Sequence, residues 1–500
     1  MRPLALLLAL AATPASADGP VFVDRAGALP VEHVYSGGWA HFVGGGVAIL
    51  DCNDDALPDL YVAGGEGPAR LFVNVSEPGG DIAFEPGEVP DLTGVTGAYP
   101  VDLDGDGPLD LMVLRVGSNV VLRGAGACRF SAEDAPDGTG SDAWTTAFSA
   151  TWEPGQDRPT LAFGNYVDMD DPDGPFGACD TNWLLRPDGE GYAATPLDPG
   201  FCPLSILFSD WNRDGTPMLR LSNDRHYYLR GGYEQMWRLD PLEELGPEDG
   251  WERLSLWGMG IASGDITGDG RPEVMLTSMG DQVMMRSDGG AWSALPYEIG
   301  TYAQRPYQGD DGRPSTGWHA EFGDIDNDGR LDLFIAKGNV DQMPGLAMAD
   351  PNNLLMQQRD GTFVERGGSA GIATTDRSRG GGLADLNGDG LLDIVVVNRR
   401  APLEIWRNAT EATGHWIGVS LRQPGGNSRA IGAHVEVRTP DGLQTREIVV
   451  GGGHAGGSAL PAHFGLGSRD RADLRVIWPD GEATPWQDVA ADRVLTIARP

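Results

Sequence analysis

Positive charge is what this chain has least of. It carries 73 Asp and Glu against 36 Lys and Arg, a formal net charge of −37, and lysine is scarce beside arginine. Phosphate would be repelled by such a surface, so no nucleic-acid partner is expected. Long apolar runs are missing after the first dozen residues, and no stretch reaches the ~18 residues of a spanning helix. The usual catalytic patterns are missing too. The eight histidines are His33, His41, His226, His319, His415, His434, His454 and His463, and none sits in H-E-x-x-H or at another zinc-ligand spacing. No G-x-S-x-G elbow occurs. The glycine runs Gly44-Gly45-Gly46 and Gly380-Gly381-Gly382 precede strand patterns rather than helices, which argues against phosphate binding and fits close packing of inner strands. No catalytic residue is assigned, and the chain is read as a non-enzyme.

Cysteine is sparse, with Cys52, Cys128, Cys179 and Cys202 as the only four. Cys179 and Cys202 would close a modest loop within one insertion in an oxidising compartment. Cys52 lies inside an acidic loop and reads as a small apolar residue; a Cys52–Cys128 bond is the less favoured alternative. Helical character is also thin, because 73 Gly and 36 Pro fit many turns between short strands. One apolar run opens the chain. Met1-Arg2-Pro3 precedes Leu4 to Ala12, and Ala15-Ser16-Ala17 fits the small-residue cleavage rule. Residues 1–17 are therefore read as a signal peptide, and the mature protein as secreted or periplasmic, where calcium is abundant.

What the chain does have is one acidic loop, many times over. Its clearest copy sets Asp324, Asp326, Asp328 and Asp332 at positions 1, 3, 5 and 9, with Gly329 at the bend. Carboxylates so crowded repel one another unless a cation sits among them. A flexible, all-oxygen site suits calcium, and the carbonyl of Arg330 at position 7 would add a ligand. The first copy offers Asp51, Asn53, Asp55, Leu57 and Asp59, and the second Asp102, Asp104, Asp106, Pro108 and Asp110. The fifth has Asp265, Thr267, Asp269 and Glu273, and the seventh Asp385, Asn387, Asp389, Leu391 and Asp393. A third, Glu153-Pro154-Gly155-Gln156-Asp157, has lost its ligands. The fourth, Asp210, Asn212 and Asp214, has Met218 where the last acid belongs, and its occupancy stays open. An EF-hand is excluded, since position 12 should be a bidentate Glu and is instead Val62, Val113, Leu221, Leu276, Ile335 or Val396.

The loops start roughly 50 to 60 residues apart, a propeller-like period. Each is preceded by one apolar strand pattern and followed by others, with turns such as Asp188-Gly189, Asp288-Gly289 and Asp360-Gly361 between them. Four short strands per repeat make one blade. The expected fold is all-β: a seven-bladed β-propeller over 18–410, followed by a small β-sandwich-like unit over 411–500. Val21-Phe22-Val23-Asp24-Arg25 matches the outer strand of a blade, and the seventh repeat stops one strand short, so the N-terminal strand is expected to complete the last blade.

From His415 the texture changes to alternating strand patterns. The matching residues there are Ala430-Ile431-Gly432-Ala433, Gly451-Gly452-Gly453, His463-Phe464-Gly465-Leu466-Gly467 and Trp478-Pro479-Asp480-Gly481. On these residues the tail resembles the ASPIC/UnbV domain, and the acidic loops resemble FG-GAP or VCBS repeats. The layout is that of the cartilage acidic protein family. The resemblance implies a calcium-binding propeller of the adhesion or matrix-binding kind, monomeric, with an extracellular protein or glycan as partner. The alternative is an exported enzyme or biosynthetic accessory protein with a site on the propeller axis or at the propeller–tail interface. Asn74-Val75-Ser76 and Asn408-Ala409-Thr410 are formal glycosylation acceptors.

Overall fold

Strand patterns with so many Gly-containing turns between them can bury their apolar residues only by stacking sheets on sheets. A computed structural model describes residues 19–136, 138, 143–172, 174–224, 231–302, 313–411 and 413–500. The expected leader with its cleavage point, and His226, lie outside the described residues. Strand accounts for 47% of the chain and helix for 3%, so the fold is all-β.

Seven sheets follow one another along the chain, each with its strands in sequence order from the inside outward. Their innermost strands are Val47–Leu50, Val95–Val101, Thr145–Thr151, Pro203–Ser209, Gly258–Gly264, Gly317–Gly323 and Arg377–Ala384. Each packs against its neighbour, and the last packs on the first, which closes a ring. This is the seven-bladed propeller that the loop period predicts. The seventh blade takes its outermost strand from the other end of the chain. Phe22–Asp24 runs antiparallel to Glu404–Asn408, with Phe22 opposite Asn408.

The inner strands are buried along most of their length, as Val95–Val101 is throughout, and the outer ones face water, as Phe130–Asp134 does. Side chains on both faces of a blade fill the gap to the next blade. Between the fourth and fifth blades the filling is Leu207, Trp211, Met236, Trp251, Ile261, Leu276 and Trp292. Each such side chain contributes ~1.5–3 kcal/mol relative to exposure. The chain's only lysine, Lys337, is fully buried on the side of the ring away from the acidic loops. Its Nζ lies 3.3 Å from Asp350 Oδ1 and 3.0 Å from Asn353 Oδ1.

Both cysteine pairs are bonded. Cys179–Cys202 sits where its spacing predicts. Cys52–Cys128 is a correction: Cys52 is not simply a small apolar residue but ties the first acidic loop to the outer hairpin of the second blade. The two positions lie in different blades, so only the packing of those blades brings them together.

The tail forms two sheets, one of three strands around His415–Arg422 and one of four around His434–Thr439. They enclose their own core of Ile417, Val419, Leu421, Val435, Val437, Phe464, Leu474 and Val476. One segment leaves this unit and enters the propeller axis. Gly457–Ala459 adds to the first blade, parallel to Ala48–Leu50, and makes that sheet five-stranded. Ahead of it, Gly452 N donates to Ile206 O at 2.8 Å and Gly453 N to Ile261 O at 2.7 Å. Ser149 Oγ donates to Val450 O at 2.5 Å. The inner strands must be bare for this to fit, because a Cβ at Gly46 or Gly97 would fall on the Ala455 carbonyl.

Candidate metal loops and the tail that covers them

Each acidic loop joins the innermost strand of a blade to the second, so all the loops lie on one face of the ring. Their internal bonding repeats. The first carboxylate accepts N–H groups from positions 5 and 6: Asp324 from Asp328 (3.0 Å) and Gly329 (2.8 Å), Asp385 from Asp389 (3.0 Å) and Gly390 (2.7 Å). Asp51 and Asp210 accept the same pair. Asp102 and Asp265 accept from positions 4 and 6 instead. The ninth-position acid accepts the N–H of position 2 on one oxygen and an N–H of the third strand on the other. Asp332 does so from Ile325 and Gln357, Asp393 from Leu386 and Asn408, and Asp59 from Cys52 and Asn74. These bonds hold the carboxylates together while leaving lone pairs unused.

In two loops three acids converge on their own. Asp102, Asp104 and Asp110 bring ligand atoms within 4.8 Å of one another, and so do Asp324, Asp326 and Asp332. Asp106 and Asp328 stand outside these clusters. Asp328 accepts from Arg330 N and pairs with the Arg330 side chain. In the second loop Arg123 already reaches Asp110 at 2.7 Å and Asp104 at 3.6 Å. In the first, Asp59 approaches the Cys52 and Cys128 sulfurs, which as a disulfide are not metal ligands. In the fifth, Thr267 Oγ1 lies 3.4 Å from Glu273 Oε1.

Burial raises these acids far above the ordinary carboxylate range. Asp324 is pushed up to about 7 by burial and by neighbouring Asp326, and Glu273 to about 7 by burial, with Asp265 and Asp269 adding to it. Burial drives Asp59 to about 7 and Asp110 and Asp385 to about 6. Asp332 and Asp393 are held well above their usual value for the same reason. A bound cation would reverse that cost. Two position-3 oxygens are direct evidence of fit. Asp326 Oδ1 and Asn387 Oδ1 are buried with no hydrogen-bond partner, which a calcium ion would satisfy and a second acceptor would not.

The two weakest loops meet a basic side chain from elsewhere in the chain. Glu153, in the degraded third loop, is gripped by Arg186 at 2.6 and 3.0 Å. In the fourth, Asp210 Oδ2 lies 3.7 Å from His434 Nε2 of the tail. Although burial pushes Asp210 upward, the His434 contact and the N–H of Gly215 hold it below its usual range. Glu447 caps this loop by accepting Asp210 N at 2.9 Å and Ser209 Oγ at 2.5 Å, and Arg213 pairs with Glu436 at 2.7 Å.

The tail touches other loops as well. Ser428 Oγ donates to Asp102, and Arg429 Nη2 to Gly107 O at 2.8 Å. Gly414 N and Gly467 N donate to Asp326 O (3.0 Å) and Asn327 O (2.8 Å). His463 Nε2 lies 3.2 Å from Gly390 O. Burial lowers Arg446 to about 10, while Asp324 and Asp265 answer its charge.

The glycosylation reading is corrected by burial. Asn74 and Asn408 are each 1% exposed. Asn74 Nδ2 donates to Leu386 O of the seventh loop at 2.7 Å, and Asn408 Nδ2 to Ile325 O of the sixth at 2.9 Å. Gln357 Nε2 does the same to Ile266 O of the fifth at 2.9 Å. These amides staple the first, sixth and seventh blades to the loop of the blade before each. The sequence pattern alone marks the Asn sites only as formal acceptors. The signal was available: an amide residue recurs where the third strand ends.

With this geometry in view, comparison with known proteins is informative. The family description ASPIC and UnbV matches residues 423–500, and FG-GAP-like repeat matches residues 51–113 and 265–335. The chain carries FG-GAP-like repeats and an ASPIC/UnbV domain. Cartilage acidic protein 1 of Mus musculus is 29% identical over 178 residues, 35% of this chain and 27% of its own length. The Homo sapiens protein is 29% identical over 163 residues, 32% of this chain and 24% of its own. The matched part thus spans about a quarter of these relatives. Among solved structures, BBS1N in complex with ARL6DN has a TM-score of 0.45 at 11% identity, covering 78% of this chain and 98% of its own. An Agrocybe aegerita lectin specific for non-reducing terminal N-acetylglucosamine has a TM-score of 0.31 at 16% identity, covering 77% and 81%. Within this layout the FG-GAP-like loops form a platform, and the ASPIC/UnbV domain sits on it.

Proposed function

We propose that this protein is an exported, calcium-stabilised propeller that acts as a binding module for an extracellular protein or glycan. Calcium would be held by Asp324, Asp326 and Asp332 in the sixth loop, by Asp385, Asn387, Asp389 and Asp393 in the seventh, and by the corresponding acids of the first, second and fifth. An ion there supplies charge neutralisation and rigidity. The two disulfides fit an oxidising compartment, and no helix among the described residues is long and apolar enough to cross a membrane.

One observation carries the placement of the binding face. The ASPIC/UnbV tail covers the loop face and runs through the axis, so the opposite mouth is the face left to a partner. That mouth presents Trp39 (39% exposed), edge-to-face on Trp144, and the insertion bearing Met169 and Phe176 (70% exposed) amid Asp168, Asp170 and Asp171. Exposed aromatics beside carboxylates suit both glycan stacking and protein contact. The test is a glycan and extracellular-protein array probed with the full chain. A ligand lost by Trp39→Ala or Phe176→Ser, but kept by Arg471→Ser on the outer surface of the tail, supports the reading. A ligand insensitive to both mouth substitutions refutes it.

A further inference from the structure

Between the loop face and the tail lies a cavity of about 650 Å³ with mostly apolar walls, within the size range of small-molecule sites. Ile49, Ile261, Phe322, Val449 and Leu460 line it, and Glu321 projects from the innermost strand of the sixth blade. Glu321 keeps 28% of its side chain open to that space. Its Oε2 accepts Leu383 N at 3.0 Å and faces His319 Nε2 at 3.3 Å. Among the described residues no lysine or arginine pairs with it.

His319 is already engaged at both ring nitrogens: Nδ1 accepts the backbone N–H of His454 at 3.2 Å and Nε2 faces Glu321. His454 is committed as well: Nε2 accepts Gly44 N at 3.3 Å, and Nδ1 donates to Met259 O at 3.0 Å. Arg422, Arg429, Arg446 and Arg493 also line the cavity; none of them pairs with Glu321, and Asp324 and Asp265 answer the charge of Arg446 as Asp102 and Asp51 answer that of Arg429. A carboxylate facing apolar walls without a counter-charge is costly, and a ligand that brings the charge recovers that cost.

We propose that this cavity binds a small organic cation. Its ammonium or guanidinium group would pair with Glu321, and its apolar body would lie against Ile49, Ile261, Phe322 and Leu460. This site is separate from the partner-binding mouth and does not depend on it.

The test uses the full chain at saturating calcium and physiological salt, which screens the acidic surface. Hexylamine and phenethylamine are compared with hexanol, phenethyl alcohol and methylamine by ligand-observed NMR and thermal shift. The two amines are expected to bind roughly tenfold more tightly than their alcohols and than methylamine. Glu321→Gln should erase that advantage with an unchanged melting temperature, since the amide oxygen still accepts Leu383 N. Ser263→Leu, which fills the cavity from its wall, should abolish binding of amines and alcohols alike. Equal binding of amine and alcohol, binding that survives Glu321→Gln, methylamine matching hexylamine, or no binding by any probe each overturns the proposal.

Discussion

In the fourth loop Asp210 faces His434 and its carboxyl is held low; in the sixth Asp324 lies buried beside Asp326 and is driven to about 7 even though Arg446 and Arg330 act against the rise. Both loops begin with the same spacing and the same N–H bonds from positions 5 and 6. They differ in what faces the first carboxylate. The fourth loop lost its ninth-position acid and receives an imidazole from the tail. The sixth kept all its acids, and Asp324, Asp326 and Asp332 converge closely enough to hold a metal ion. The third loop, clamped by Arg186, belongs with the fourth. A basic side chain is not confined to the degraded loops, since Arg123 reaches Asp110 and Asp104 in the intact second one; the third and fourth loops keep their place in the ring without a full set of acids.

The sharpest way to break this contrast is to remove calcium. Excess chelator should lower the melting temperature by roughly 10 °C or more in calorimetry, since each ion held at a hundred times its Kd contributes about 2.7 kcal/mol. An unchanged curve would mean that the sixth loop needs no ion.

Next comes pH. Asp324 and Glu273 are raised from their ordinary values to about 7. Groups raised on folding give stability that is whole below the unfolded pKa and lost as pH rises through the folded one. The chelated protein should therefore lose stability between about pH 4 and 7, while the calcium-induced rise in melting temperature should grow over the same range. A calcium effect that shrinks with pH contradicts the assignment.

Asp324→Ala should cost about 3 kcal/mol and remove one ion from the count in native mass spectrometry. Asp210→Ala should leave that count intact. Equal losses would erase the distinction between the loops. A smaller effect, about 1–2 kcal/mol with no change in ion count, is expected for His434→Ala, measured by urea unfolding. Smallest, Asn408→Ala should cost about 1 kcal/mol by breaking one staple between blades; a neutral result would make that amide dispensable.

Much of the fold was legible because it is repetitive. The spacing of Asp51, Asp102, Asp210, Asp265, Asp324 and Asp385 reports the blades, and the aliphatic position 12 excludes the helical alternative. The third blade forms without a legible loop, because Thr145–Thr151 and Thr160–Asn165 carry enough strand pattern alone. What stayed hidden depends on contacts between distant residues. Nothing near Gly451-Gly452-Gly453 announces that the segment crosses the axis; its partners Ser149, Ile206 and Ile261 lie hundreds of residues earlier. Glu321 was overlooked because it stands outside every loop, and His434 because its role depends on where the tail lands. Cys52 seemed explained by its loop until the second blade supplied Cys128.

Lys337 has a practical consequence for anyone handling the protein. It is the sole lysine, and it is shut inside the sixth blade against Asp350. Amine-directed cross-linkers, dyes and surface-coupling chemistries therefore meet no ε-amine on the native surface, and the terminal α-amine becomes a single-site handle. The same isolation makes Lys337 a built-in clock. A reagent reaches it only when the sixth blade opens, so its rate of labelling reads that opening directly.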